Sequence, residues 1–240
     1  MPARPAPDPH SPEKGQAVRG MFASIAPRYD LLNRLLSAGQ DQRWRKAMVG
    51  YLPELAPGDR ILDLCTGTGD VTLVLHDAAP AGVRIHGGDF CEEMVALAPA
   101  KAASCAPGIG YLVSDALAPV TVAFGLRNVQ DPPAALREMA RLLRPGGRLM
   151  VLEFAKPDSK LFAPLYRFYF FKVLPLLGRL LSGSETDAYR YLPESVWAFP
   201  TPDEIRGELE SSGLRPVALR KFLGGAVILH VAERPAGSTP

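Results

Sequence analysis

Apolar positions along the chain change period several times, and each change marks an element. Residues 1–16 (MPARPAPDPHSPEKGQ) are rich in proline and poor in large apolar side chains, so burial cannot offset the entropy of ordering them and a disordered tail is expected. The same expectation holds for 234–240. Between Val18 and Leu55 the spacing is helical: VRGMFASIAPRYDLLNRLLSAG is broken by Pro27, and DQRWRKAMVGYL follows with Asp41 as the expected N-cap. This block, 17–55, reads as a helical cap on what begins at Arg60. There the short apolar run RILDLCTGTGD ends in a glycine loop and leads into VTLVLHDAA, giving a strand, a loop and a helix in turn. VRIHGGDF, IGYLVSDA, VTVAFGLRNV and RLMVLEF read as further strands. DPPAALREMARLLRPGG reads as an amphipathic helix with Asp131 at its N-cap, prolines in its first turn, and Leu136, Met139, Ala140 and Leu143 on one face. Pro145, Gly146 and Gly147 are expected to close it. Strands and helices in that order predict an α/β fold, a doubly wound and mostly parallel Rossmann-like sheet that takes ligands at the carboxyl ends of its strands.

Composition changes little in that picture. With 240 residues, 47% hydrophobic and 22% charged, the chain can bury the core of one α/β domain with additions. Its net charge of +2 and the lack of a dense Lys/Arg run argue against a nucleic-acid partner. Cys65, Cys91 and Cys105 are odd in number, lack CxxC spacing and follow no signal peptide, which points to a reduced, cytoplasmic protein without a zinc site. No metal is expected.

The glycine loop carries the first candidate chemistry. Gly67 and Gly69 let the backbone turn sharply beside a ligand, and the helix that follows offers unpaired N–H groups; without a ligand the same loop is a tight turn and nothing more. VRIHGGDF ends in Asp89, 20 residues after Gly69, where an acid can accept hydrogen bonds from ribose hydroxyls. Two nucleoside cofactors compete. A dinucleotide wants a third small residue where Thr72 stands and has no use for Asp63 inside the first strand. S-adenosylmethionine fits better, since its sulfonium and amino group favour nearby carboxylates. Asp115 and Ala116, at the end of IGYLVSDA, suit an adenine edge. After the fourth strand, Arg127 and Asn128 stand on a loop where they either cap the next helix and pair with a neighbour or face a second substrate. Tyr29 could reach that substrate from the cap, although an aromatic between helices more often packs. His76, His230 and Cys65 read as structural or solvent-facing.

Taken together, VRGMFASIAPRYDLLNRLLS, ILDLCTGTGD, FGLRNV, LRPGGRLMVLEFAKP, YRFYFFKVLPLLG and AYRYLPESVWAFP resemble the demethylmenaquinone and ubiquinone-biosynthesis C-methyltransferase family, a class I methyltransferase family, over residues 17–233. The resemblance implies a seven-stranded sheet whose last strands, LRPVALRKFL and AVILHVAE, form an antiparallel pair. It implies S-adenosylmethionine as methyl donor and a polyprenylated quinol as acceptor, demethylmenaquinol becoming menaquinol. Carried over by position, the family's cofactor contacts fall on Thr68, Asp89, Asp115 with Ala116, and Ala123, the last through backbone or packing. A quinol that loses one phenolic proton gains electron density at the ortho carbon, which can then attack the methionine-bound methyl in line and displace the thioether. The protein must supply alignment, a dry site and help with the proton. Arg127 suits stabilisation of the phenolate because a guanidinium stays protonated, and Asn128 suits orientation of the hydroxyl or a water. Glu153 and Asp30 are candidate proton acceptors beside water.

The stretch SKLFAPLYRFYFFKVLPLLGRLLSG (159–183) is the most apolar part of the chain, yet Arg167, Lys172 and Arg179 interrupt it and Pro164 and Pro175 break its regularity, so it does not read as a membrane span. Within 159–200 it reads as a lid over the acceptor touching the membrane surface, or as packing on the sheet or in a homodimer interface. The link before the fourth strand is unusually short. In this fold that strand lies beyond the first, so the link must span on the order of 20 Å, while the five residues from Asp115 to Val120 reach at most about 18 Å. Relatives carry a longer segment here. Three outcomes are expected: a shortened third strand that draws Asp115 away from adenine, a fourth strand frayed at its start, or a protein that folds poorly. Reduced cofactor affinity or stability would follow. The functions in play are thus the quinol C-methyltransferase, a non-catalytic cofactor-binding relative, and a nicotinamide-dependent oxidoreductase that Thr72 and Asp63 disfavour.

Overall fold

The computed structural model describes residues 11, 13–98, 117–159, 162–174, 176 and 188–237. Its strands are β1 (Arg60–Leu64), β2 (Arg84–Gly88), β3 (Leu117–Ala123), β4 (Leu143–Phe154), β5 (Arg215–Phe222) and β6 (Val227–Glu233). They form one sheet in the order β2-β1-β3-β4-β6-β5. β1, β2, β3 and β4 run parallel, and β6 lies antiparallel between β4 and β5. β3 sits between β1 and β4 and is buried from Leu117 to Val122, as its unbroken apolar run requires of a strand covered on both faces. β5 ends the described sheet on the side opposite β2; Arg215, Arg220 and Lys221 make it a poor template for further pairing.

Helices cover both faces. On one side α6 (Pro132–Leu142) and α9 (Pro202–Ser211) bury Leu136, Met139, Ile205 and Leu209 against Val120, Leu149 and Val151. On the other, α3 (Gln40–Val49) and α4 (Asp70–Ala78) bury Trp44, Met48, Val71 and Leu75 against Ile61, Met150 and Leu229. α5 (Glu92–Val95) follows β2. A third apolar cluster stands off the sheet, where α1 (Lys14–Ile25) and α2 (Tyr29–Leu36) meet α7 (Phe162–Phe168), its continuation as a π turn (Tyr169–Val173), and α8 (Ala188–Ala198). The N-terminal helices and the segment expected to form a lid therefore share one core.

Several expectations shift. α1 begins at Lys14, inside the stretch expected to be disordered, because the Lys14 ammonium is buried and donates to the Val129 carbonyl at 2.8 Å. Asp41 does not cap α3: Gly39, at φ 73°, precedes the helix, and Asp41 lies in its first turn with its carboxylate taken by Ser37 and Arg45. Asp131 does cap α6, accepting from Ala134 N at 2.9 Å. The Pro-Gly-Gly after α6 belongs to β4 as an irregularity, with pairing passing from Leu117↔Leu143 to Pro119↔Arg148. A Cβ on Gly147 would stand 2.7 Å from the Ala118 carbonyl, so the close approach needs glycine. β3 starts at Leu117 rather than fraying near Val120, and Pro164 is tolerated in the first turn of α7. Arg234 donates to the carbonyls of Arg141 and Leu143, tying down the first residue of the expected C-terminal tail. The expected strand IGYLVSDA, with Asp115 and Ala116, lies outside the described residues, as do Cys105 and, in the apolar segment, 160–161, 175 and 177–183. Six strands, not seven, are described.

Candidate active site

β1 delivers its last residues to a loop in which Cys65, Gly67 and Gly69 all take positive φ, at 55°, 57° and 85°. Only glycine adopts this region freely. Cys65 is held there by its neighbour strand: a Cβ on Gly125, just after β3, would lie 2.3 Å from that of Cys65. Phe124, at φ 59°, is a second non-glycine residue in that region beside the same site, and residues in such conformations cluster at functional sites.

Asp63, 1% exposed, accepts hydrogen bonds from the hydroxyls of Thr66 (2.7 Å), Thr72 (3.1 Å) and Thr121 (2.6 Å). Burial pushes its carboxyl up to about 6, while the three hydroxyls pull the other way. Asp89 accepts from Gly67 N at 2.8 Å and from Cys91 N at 2.9 Å, which fixes the carboxylate beside the glycine turn. Its pKa too is raised by burial, against those backbone bonds. Thr68 donates its hydroxyl to Asp30 of α2 at 2.6 Å, so the cap touches the loop directly. Ala123 ends β3 and packs in the cluster with Trp44 and Met150. The expected cofactor residues Asp63, Gly67, Thr68, Gly69 and Asp89 thus surround one turn.

A cavity of about 480 Å³ adjoins it, over the carboxyl ends of β3 and β4. Its walls are apolar and aromatic, among them Tyr29, Trp44, Phe124, Phe154 and Phe170. The rings of Phe124 and Phe154 lie 4.7 Å apart, with the Arg45 guanidinium 5.9 Å from the first and that of Arg127 5.5 Å from the second. Arg127 and Asn128 sit on the 3₁₀ turn Leu126–Asn128, both buried. Arg127 Nη1 donates to Glu153 Oε1 at 2.7 Å and to the Phe124 carbonyl. Glu153 also accepts from the backbone N–H groups of Arg127 and Phe154, so both its oxygens are engaged. It is the counter-ion of Arg127, not a carboxylate aimed at a substrate. Asn128 accepts from the Tyr191 hydroxyl at 3.1 Å, and Tyr29 lines the cavity with its phenol raised chiefly by burial.

Sequence reasoning missed Tyr191, Arg45, Thr66 and Thr121, and used Thr72 only against a dinucleotide. Thr121 carried a signal: a hydroxyl between Val120 and Val122 in a buried strand must find a partner. Arg45 joins α3 to α4 through Asp41 (2.5 Å) and Asp70 (3.3 Å), and one turn of helical spacing from Asp41 was its signal. His230 is buried and its pKa lowered to about 4 by that burial, so it is neutral. Cys65 is pushed up to about 12 by burial and by the carboxylates around it, so it remains a thiol.

A model of the ubiE/COQ5 methyltransferase family matches residues 11–234. Over 224 residues the chain is 48% identical to the "Demethylmenaquinone methyltransferase" of Thermus thermophilus, covering 90% of this chain and all of that protein. Over 234 residues it is 44% identical to the "Ubiquinone/menaquinone biosynthesis C-methyltransferase UbiE" of Geobacter sulfurreducens, covering 92% and 90%. Among solved structures, a SAM-dependent methyltransferase from Aquifex aeolicus superposes with a TM-score of 0.56 at 17% identity, over 85% of this chain and 97% of that one. That likeness shows the shared fold.

Proposed function

The chain belongs to the ubiE/COQ5 methyltransferase family, and on that premise we propose that it carries a methyl group from S-adenosylmethionine to a ring carbon of a polyprenylated quinol, demethylmenaquinol to menaquinol. The observation that carries this reading is the aromatic cavity beside the glycine turn, with two buried guanidiniums in its wall, Arg127 and the Arg45 that Asp41 and Asp70 hold.

The residues at the turn suit the cofactor. S-Adenosylmethionine brings two cationic groups and a ribose, and when bound it supplies an electrophilic methyl group. Asp63 sets a buried negative charge behind the turn, which attracts those cations in a poorly screened place. Asp89 uses one lone pair on each oxygen for Gly67 and Cys91 and keeps others for ribose hydroxyls. Asp115 and Ala116 are proposed for the adenine.

In the cavity, the quinol ring lies among Phe124, Phe154 and Tyr29 while Arg127 faces its oxygen. The guanidinium holds the oxygen as phenolate, which raises electron density at the ortho carbon; water accepts the phenolic proton, since Glu153 is committed to Arg127. Asn128, fixed by Tyr191, orients that water or the hydroxyl. The isoprenoid tail leaves toward lipid. Leu31 and Leu35 of α2 and Leu165, Phe168 and Leu176 of the lid are each more than half exposed, and 162–176 carries Arg167 and Lys172 with no acid. These features support contact with a membrane surface. Among the described residues no helix is long and apolar enough to cross one.

Labelled methyl from the cofactor should appear in menaquinol when demethylmenaquinol is supplied, and the demethylated ubiquinol precursor run in parallel defines the acceptor. Arg127→Lys keeps a cation for Glu153 and should stay folded while kcat/KM falls by about 10–10²-fold, because the planar fork is lost. Absence of label from both quinols refutes the reading.

A further inference from the structure

Four tyrosines line the cavity: Tyr29, Tyr166, Tyr169 and Tyr191. Three of their phenols are engaged by the protein. Tyr191 donates to Asn128, Tyr169 donates to the Leu36 carbonyl at 3.1 Å, and Tyr29 is bonded to Asn33. Tyr166 differs. Its ring is 8% exposed and well packed, stacked on Phe170 with centroids 4.5 Å apart and lying beside Phe162 and Trp197, yet its hydroxyl is buried and has no hydrogen-bond partner. Arg127 Nε is a second buried donor without a partner, and Arg127 is close enough to Tyr166 to act on its proton affinity. A buried phenol left unpaired is a cost that folded proteins rarely carry without a reason. Placing this one for packing alone would call for phenylalanine, as at Phe162 and Phe170 beside it.

We infer that the Tyr166 hydroxyl is a substrate-binding group, donating to the oxygen on the acceptor's aromatic ring alongside Arg127. This rests on the reading of the cavity as the acceptor site and adds to it a residue and a preference. Burial raises the Tyr166 phenol, so it stays a donor beside a neighbouring phenolate and does not compete with it for the proton to be lost. The lid helix α7 thereby contributes a polar contact to the ring and not merely a greasy cover. The site is selective for aromatic rings that bear an oxygen, hydroxyl or phenolate, over rings that do not, since a ligand without that oxygen leaves the donor orphaned.

The experiment compares wild type with Tyr166→Phe, which removes one oxygen and keeps the ring. The readouts are thermal stability, calorimetric affinity for the adenosyl cofactor, and binding of two probes, 1-naphthol and naphthalene. Melting temperature should be unchanged or higher, and cofactor affinity should be unchanged. Wild type should prefer naphthol, and the variant should lose about tenfold of that preference while binding naphthalene as before. With quinol, kcat should fall more than KM rises, because a bond to an oxygen gaining charge strengthens in the transition state. A wild type that binds both probes alike, a variant that keeps the naphthol preference, or a variant that melts lower by several degrees each overturns the inference; the last assigns the hydroxyl to structure. A naphthol preference that depends on Tyr166 in a protein that labels neither quinol leaves the inference standing and sinks the proposed reaction.

Discussion

Asp63 places a carboxylate where almost no water reaches, and three threonine hydroxyls are its only neutral compensation among the bonds described above. The rise from 3.8 to about 6 corresponds to about 3 kcal/mol at roughly 1.4 kcal/mol per unit. The folded state binds the proton more tightly than the unfolded one. Its stabilising contribution is therefore complete below pH 3.8, declines as pH rises through about 6, and is absent at neutrality. Asp63→Asn should melt at or above wild type at pH 7, lose this stability change between pH 4 and 6, and bind the adenosyl cofactor at least tenfold more weakly, all checked by calorimetry. Lower stability with undiminished affinity would make Asp63 a structural residue. The sequence singled out Asp63 and Thr72 because neither suits a dinucleotide loop, but not that one donates to the other. That link comes from α4 folding back on β1. Thr121 comes 58 positions later and meets Asp63 because β1 and β3 pair in the register Asp63↔Thr121, and register across a crossover is set by the whole sheet.

At the scale of elements, the apolar runs and turn residues located β1, β2, β4, α4 and α6, because each carries its own period and its own stop signals, whereas the terminal antiparallel pair was implied by the family resemblance. Where a residue's role depended on another segment, the local pattern misled. Lys14 is helical because Val129, far along the chain, accepts its ammonium proton, and Asp41 is drawn into the helix by Arg45 and Ser37 rather than left to cap it. β3 gains Leu117, Ala118 and Pro119 because β4 extends to meet them. The cap depends on such distant ties most of all: Asp30 reaches Thr68, and Arg34 and Arg45 reach Asp70 at the start of α4. A hydrogen bond to a charged group contributes about 1.5–3 kcal/mol, so removing one should loosen the cap without melting the sheet. In Asp30→Ala, amide exchange in 14–36 should rise roughly tenfold while that of β3 and β4 is unchanged. Equal acceleration everywhere would mean that cap and sheet open together.

For the whole molecule, five of the nine large apolar side chains exposed among the described residues, Leu31, Leu35, Leu165, Phe168 and Leu176, lie on α2 and 162–176, the same segments whose inner faces enclose the cavity. Tyr169 joins them by its bond to Leu36, so the inner and outer faces belong to one roof. Leu165 and Leu223 are exposed and also line the cavity, which makes the apolar surface continuous from outside to the reaction site. Continuity of that kind would suit the proposed acceptor, whose tail stays in lipid, and at an anionic membrane Arg167 and Lys172 would each add about 1 kcal/mol of attraction. Full-length protein should sediment with vesicles containing phosphatidylglycerol and less with phosphatidylcholine alone, and added salt should narrow the difference. Leu31, Leu35 and Phe168 line no part of the cavity, so Leu31→Ser, Leu35→Ser and Phe168→Ser combined should leave folding and turnover of a short-tailed, soluble quinol unchanged. Burial of such side chains is worth about 1.5–3 kcal/mol each when complete, so the triple variant should bind vesicles at least a hundredfold more weakly and lose activity on long-tailed quinol held in them. If wild type is instead a dimer that ignores vesicles and the triple variant a monomer, the same face belongs to a second copy of the chain.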